Sequence, residues 1–300
     1  MSDRVIRLHV GAHKTATTYI QDTLACNRDA SAGAGVAYWP RETVRPLVNA
    51  MIRQRKEAPR STLARAKAYF SPSENDPVAR LRDLFSGRFD VTISDENLLG
   101  EAKDSFEEAL YLNARAQLIT LKAALPETRL EILVALRSYD AFLSSLYAET
   151  LRNGAMIRPE DAKSAQARVA GEWPRLIAEI RDTFPNARLV VWRYEDFGHL
   201  ENDILARLSG LDGASLNKRD SAQATLNPSI KAIETYVRDA PQMNWVDRMV
   251  HMRALIARHP QTDPSSRFTL WTAEEAATLS QRYAQDVETI KSRDDVEFLA

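Results

Sequence analysis

The chain is poor in the residues that build covalent or metal-bound scaffolds. A single cysteine, Cys26, excludes a disulfide framework and a thiolate metal cluster, and reads as a small buried or half-buried residue of a helix. None of the five histidines, His9, His13, His199, His251 and His259, belongs to a zinc-protease motif, so no metal is expected. Charge of one sign is also missing. Forty Lys plus Arg against 41 Asp plus Glu leave a net charge of −1, which argues against a nucleic-acid partner, because broad phosphate binding leaves a clear basic excess. No uncharged apolar run reaches the length of a membrane span, and the N-terminus lacks a signal-peptide pattern, so the chain reads as cytoplasmic. Internal repeats and long low-complexity segments are absent as well.

What is present is the balance of a globular protein, with 44% apolar and 27% charged residues. Its 300 residues are expected to form a single domain over 1–300, with a helical insert at about 42–88 and a helical C-terminal part at about 200–300. Val5, Ile6, Leu8 and Val10 form a short apolar strand, and Ile20 and Leu24 open a helical period. Between them runs VGAHKTATTYIQ (Val10 to Gln21), a loop of small and hydroxylated residues around one lysine. A strand-loop-helix turn of this kind points unpaired backbone N–H groups and the positive end of a helix at one place. Gly11 and Ala12 allow close approach, Lys14 brings a charge, and Thr15, Thr17 and Thr18 bring hydroxyls, so the segment reads as a phosphate cradle.

Further strands are expected at Phe89 to Ser94, Ile132 to Leu136 and within Ala187 to Phe197, with a brief one at Val36 to Tyr38. Between Glu42 and Arg88 the chain is helical and basic, broken by Pro46, Pro59, Pro72 and Pro77. Arg53, Arg55, Lys56, Arg60, Arg65 and Lys67 there read as a solvated face, or as a face for an anionic acceptor. Asp95 and Glu96 directly follow a strand, where ligands of parallel sheets collect; helix capping is their alternative role. Arg137 stands where the next strand becomes loop, and Ser145 follows eight residues later inside a helix. Near the C-terminus Trp245, Met249, Met252, Leu255 and Ile256 form an apolar stripe suited to a core or to a homodimer face.

The loop lacks the second glycine that the nucleotide-triphosphate loop places before its Lys-Ser/Thr pair; His13 stands there. Lys14, Thr15, Ala16, Thr17 and Thr18 instead resemble the Lys-[Ser/Thr]-Gly-Thr-Thr cofactor loop of the sulfotransferases, with alanine in the glycine position. That alanine suits a helical φ and is strained at a positive one. Arg137 and Ser145 match the family's clamp for a 3′-phosphate, although Ser138 and Tyr139 replace its usual Asp-Pro. Arg193, Tyr194, Glu195 and Asp196 resemble a segment that is mostly structural in the family.

The resemblance implies a three-layer α/β fold, P-loop-NTPase-like, with a central parallel sheet of about four to five strands flanked by helices. It implies transfer of a sulfuryl group from 3′-phosphoadenosine 5′-phosphosulfate (PAPS, leaving PAP) to a hydroxyl or amine of a carbohydrate or small metabolite, without a metal. Lys14 would be catalytic, with Thr15, Ala16, Thr17 and Thr18 on the 5′-phosphate and Arg137 and Ser145 on the 3′-phosphate. Glu96 is the candidate base and His13 the second choice, while Lys218 and Arg219 lie in the stretch where the family has a closing loop. The alternatives are a P-loop kinase or ATPase using Lys14, Thr15 and magnesium on Asp95, and an inactive nucleotide- or glycan-binding module.

Overall fold

A computed structural model describes residues 4–57, 76–106, 109–166, 171–219, 228–263 and 266–300. The described elements run β1 (Val5–His9), α1 (Thr17–Cys26), α2 (Arg28–Gly33), β2 (Val36–Trp39), α3 (Arg41–Glu57), α4 (Pro77–Leu84), β3 (Asp90–Ser94), α5 (Ala114–Ala124), β4 (Arg129–Leu136) and α6 (Tyr139–Arg152). They continue with α7 (Pro159–Gln166), α8 (Glu172–Thr183), β5 (Arg188–Arg193), α9 (Phe197–Ser209), α10 (Ile230–Asp239), α11 (Trp245–Arg258), α12 (Ala273–Lys291) and β6 (Glu297–Leu299).

All six strands pair in parallel in the order β2-β3-β1-β4-β5-β6. The fold is therefore α/β with one parallel sheet, and the sheet has six strands rather than four to five. The extra strand is β6: its three residues are too short to show a period, and the expectation of helices to the end of the chain fails there. Arg60, Arg65 and Lys67 of the basic segment lie outside the described residues.

Alternate residues of β4 explain the layers. Ile132, Val134 and Leu136 enter one buried cluster, and Leu133 and Ala135 enter the other, which they share with Ile20 and Leu24 of α1 and Ile204 and Leu208 of α9. A strand buried on both faces must be apolar throughout, and each such large side chain contributes roughly 1.5–3 kcal/mol. Local signals set several ends. Asp76 accepts from the Val78 N–H ahead of Pro77 at the first turn of α4, and Thr272 and Glu275 close a reciprocal capping box on α12.

Three departures have physical causes. Helix α3 runs through Pro46 in its second turn, where the ring removes one backbone bond, to the Glu42 carbonyl, and the rest of the 17-residue helix carries on. Cys26 is exposed, not buried, because it falls on the outer side of α1 in its last turn. The C-terminal stripe divides: Met252, Leu255 and Ile256 are buried, whereas Trp245 stays exposed.

Chain order reverses about β1, since β3 lies on one side of it and β4 on the other. Ligands of open parallel sheets bind beyond the carboxyl ends of the strands at such a point. The carboxyl ends of β1, β3 and β4 lead into Val10 to Ala16, Asp95 with Glu96, and Arg137 respectively.

Candidate active site

The loop after β1 is fastened to its neighbours through the backbone. Val10 N–H donates to the Leu133 carbonyl at 3.0 Å, Ala12 N–H to Ala135 at 3.2 Å, and Ala135 N–H to Gly11 at 2.6 Å. Gly11 has φ +99°, and a Cβ there would lie 2.8 Å from Cβ of Glu96, so only glycine fits between the two segments. Lys14 and Ala16 also have left-handed φ, at 61° and 63°. The alanine at the family's glycine position is thus in the strained setting. Left-handed geometry costs an L-residue roughly 1–2 kcal/mol, partly offset by the greater unfolded-state entropy of glycine. Ala16→Gly is expected to raise Tm by about 1–3 °C, and a calorimetric scan showing a fall would remove the strain argument.

Helix α1 begins right after Ala16 with no side-chain cap and no acidic residue in its first turn. Its leading N–H groups lie where an anion is stabilised, and in this first turn Thr17 is buried and Thr18 half-buried. Thr15 differs: it is fully buried, and its hydroxyl donates inward to the Ala12 carbonyl at 2.7 Å. Lys14 Nζ lies 3.4 Å from a carboxylate oxygen of Glu149 on α6. Burial lowers the Lys14 pKa below the ordinary lysine value, with Glu149 opposing and Arg152 adding to the shift.

Arg137, the first residue after β4, donates to the Lys14 carbonyl at 2.5 Å and stacks its guanidinium 4.6 Å from the centre of the Tyr194 ring. Arg137 and Ser145 line a small open cavity with Ser144, Gln261, Arg267 and Phe268. The fold therefore brings the predicted pair together and adds a second guanidinium, Arg267, from a segment bridged to Ser229. No sequence signal marked Arg267. Lys218 and Arg219, which the sequence offered instead, are held elsewhere: Lys218 pairs with Glu201 at 2.8 Å and Arg219 with Asp22.

On the β3 side, Arg45 of α3 gathers both acidic residues, at 2.9 Å from Asp95 and 2.8 Å from Glu96. Asp95 also accepts from the Asn97 N–H at 3.0 Å, so it caps the short turn after β3. Magnesium on Asp95 would have to displace a guanidinium, which weakens the kinase reading. Among the described residues no three His, Cys, Asp or Glu side chains are grouped to hold a metal.

Glu96 additionally accepts from the Gln21 side-chain amide at 3.0 Å. Burial alone would raise its pKa, but the adjacent His13 and Arg45 outweigh it and bring Glu96 down to about 2. Asp95 moves up instead, through burial and the charge of Glu96, against the pull of Arg45. His13 is buried, which lowers its pKa. Its Nδ1 lies 2.8 Å from the Tyr111 hydroxyl and its Nε2 3.2 Å from Oδ1 of Asn97, so both ring nitrogens already have partners. An open cleft lined by Arg41, Arg45, Asn49 and Arg53 adjoins this cluster.

No known family profile matches the chain, and no curated protein matches it. Among solved structures it is similar to the crystal structure of a sulfotransferase from Alicyclobacillus acidocaldarius, at 14% identity and a TM-score of 0.41, over 84% of this chain and 95% of that one.

Proposed function

We propose that the chain is a sulfotransferase that moves the sulfuryl group of PAPS to a hydroxyl or amine of a carbohydrate or small polar metabolite. One observation carries this reading. The lysine loop and the Arg137–Ser145 cavity adjoin each other, joined by the Arg137 bond to the Lys14 carbonyl. Two adjoining sites that each suit an anion would fit a nucleotide with phosphates at both its 5′ and 3′ positions, whereas ATP has no group for the second.

In this reading the start of α1, Thr17 and Thr18 hold the 5′-phosphate, with the Ala16 backbone beside them. Thr15 supports the loop from within, and Arg137, Ser145 and Arg267 hold the 3′-phosphate. The acceptor oxygen or nitrogen forms a bond to sulfur as the bond from sulfur to the phosphate oxygen breaks, and that oxygen leaves with the electron pair. Lys14, swung from Glu149, meets the negative charge that grows there, an interaction stronger in the transition state than before it.

The acceptor approaches from the cleft beside Arg45 and Asn49, and its proton passes to the Glu96 carboxylate. A group held at about 2 is a weak base, so its contribution is chiefly to accept the acceptor's hydrogen bond and aim it. Glu96→Gln is expected to keep PAP binding and to lose about 10²-fold in sulfuryl transfer. The pH dependence has a definite sign. A depressed carboxylate pKa means the competent form is present at neutral pH and is lost only as pH falls through about 2. Glu96 therefore gives no acid limb to kcat/KM between pH 7 and about 4. A limb near the ordinary carboxylate value that survives in Glu96→Gln would assign the proton to another group. The overall reading is tested by incubating the chain with labelled PAPS and a panel of glycans and small alcohols; PAP binding without turnover on any acceptor would favour the inactive binding module.

A further inference from the structure

Helix α3 sets Arg41, Arg45, Asn49 and Arg53 four positions apart, a row that winds by about 40° per step along the open cleft beside Glu96. Arg45 is engaged with Asp95 and Glu96, and Arg41 lies 3.3 Å from the carboxylate of Glu42. Arg53 is exposed and has no ion-pair partner among the described residues. Glu42 is the one carboxylate lining the cleft among the described residues. It stands at the far end, about 16 Å along the helix axis from Arg53.

One turn before Arg53 is Asn49, and the hydrogen-bond chain behind it fixes which way its amide is used. The His13 backbone N–H donates to the Tyr111 hydroxyl at 2.9 Å, and that hydroxyl lies 2.8 Å from Nδ1 of the same histidine. Tyr111 is buried, so its phenolic hydrogen needs an acceptor, and Nδ1 is the one within reach among the described residues. Burial keeps the imidazole neutral, so with Nδ1 accepting, the ring hydrogen sits on Nε2 and is donated to Oδ1 of Asn97 at 3.2 Å. Asn97 then donates through Nδ2 to Oδ1 of Asn49 at 3.0 Å. The chain ends on Asn49 Nδ2, which has no partner among the described residues and belongs to a residue of the cleft wall. An amide N–H₂ and a guanidinium on adjacent turns, both donors without an acceptor, select a group that only accepts.

We propose that Asn49 and Arg53 form a subsite for an anionic group of the acceptor, a carboxylate or a sulfate ester, so that the chain modifies acidic rather than neutral molecules. The acceptor's role rests on the sulfotransferase reading; the preference for an anion rests on the cleft alone. Asn49 stands one turn and Arg53 two turns beyond Arg45, the residue that holds Glu96, so the charge lies about 6–12 Å along the helix from the reacting hydroxyl. That reach suits an acceptor whose charge is on the unit next to the one that is modified.

The test is calorimetric titration of the full chain, with and without PAP, using the trimer of galacturonic acid, its methyl ester, and a galactose trimer carrying 6-sulfates. The expected result is that at least one charged trimer binds about tenfold or more tightly than the methyl ester, and which one does so identifies the anion. Arg53→Gln removes most of this preference and shifts the methyl ester by less than about twofold. Asn49→Asp does the same, because it still accepts from Asn97 but turns the free donor into a carboxylate. A general loosening of the cleft would weaken all three trimers alike. Circular dichroism checks folding, and Arg53→Gln, which alters only an exposed side chain, carries the test if Asn49→Asp unfolds. Equal affinity for charged and neutral trimers, binding of none of them, or a preference that survives Arg53→Gln overturns the proposal even where PAP binds. A preference for charged trimers in a chain that does not bind PAP would keep the subsite and remove the sulfotransferase reading.

Discussion

Lys14→Met is expected to lower kcat by about 10²–10³-fold while changing the Kd for PAP by no more than about threefold. The reason lies in when charge appears. Lys14 rests 3.4 Å from Glu149 and is mostly buried, so it is a desolvated cation held beside the loop. Charge accumulates on the bridging oxygen only as the bond to sulfur breaks, so a cation that moves onto that oxygen stabilises the transition state more than the bound nucleotide. Methionine keeps the length and the packing of the stem and removes only the charge. Single-turnover rates with PAPS and calorimetry with PAP separate the two quantities. A variant within about tenfold of the original kcat would refute the assignment. The alkaline limb provides a second reading. A lysine whose pKa is lowered keeps its charge below that value and loses it as pH rises, so activity should decline in base earlier than ordinary lysine would dictate, and this limb should vanish in Lys14→Met.

Arg137→Ala is expected to weaken PAP by about 10²–10³-fold and to leave adenosine 5′-phosphosulfate within about threefold. The second ligand matters because Arg137 has two roles in the structure. It faces the cavity with Ser145 and Arg267, and it also holds the Lys14 carbonyl. Were the loss caused by a loosened loop, both nucleotides would suffer alike, since both carry the 5′-phosphate. A loss confined to PAP locates the 3′-phosphate at Arg137. Arg137→Lys should recover only part of the affinity, because an ammonium on a flexible stem cannot replace the two parallel N–H bonds of a guanidinium. Arg267→Ala should weaken PAP in the same selective sense, by less, as this side chain is more exposed. Equal losses for both ligands in both arginine variants would take the clamp away.

The two motifs at strand ends were legible because each depends on neighbours in the chain. An apolar run followed by Gly11, Lys14 and a threonine-rich helix start states its turn chemistry within a dozen residues, and Arg137 with Ser145 states a strand end and two helical turns. Parallel pairing followed from the same source, since strands such as Ile132 to Leu136 are apolar on every side. The sequence also isolated Ala16 as the doubtful position, but its φ belongs to the path the loop takes between Ala135 and Glu96.

What spacing does not contain, packing decided. Arg45 captures Asp95 and Glu96 from fifty positions away, and this turns an apparent free base into a carboxylate held near 2. Arg267 reaches the Arg137 cavity only because its segment bridges Ser229. β6 exists because β5 offers an open edge to three residues with no period of their own. The apolar stripe of α11 reads as continuous in the sequence, and only the surrounding elements determine that Met252 is covered and Trp245 is not. Periodicity and turn residues act over a few positions and so are written locally, whereas ion pairing, burial and exposure depend on which distant surfaces the completed sheet brings together.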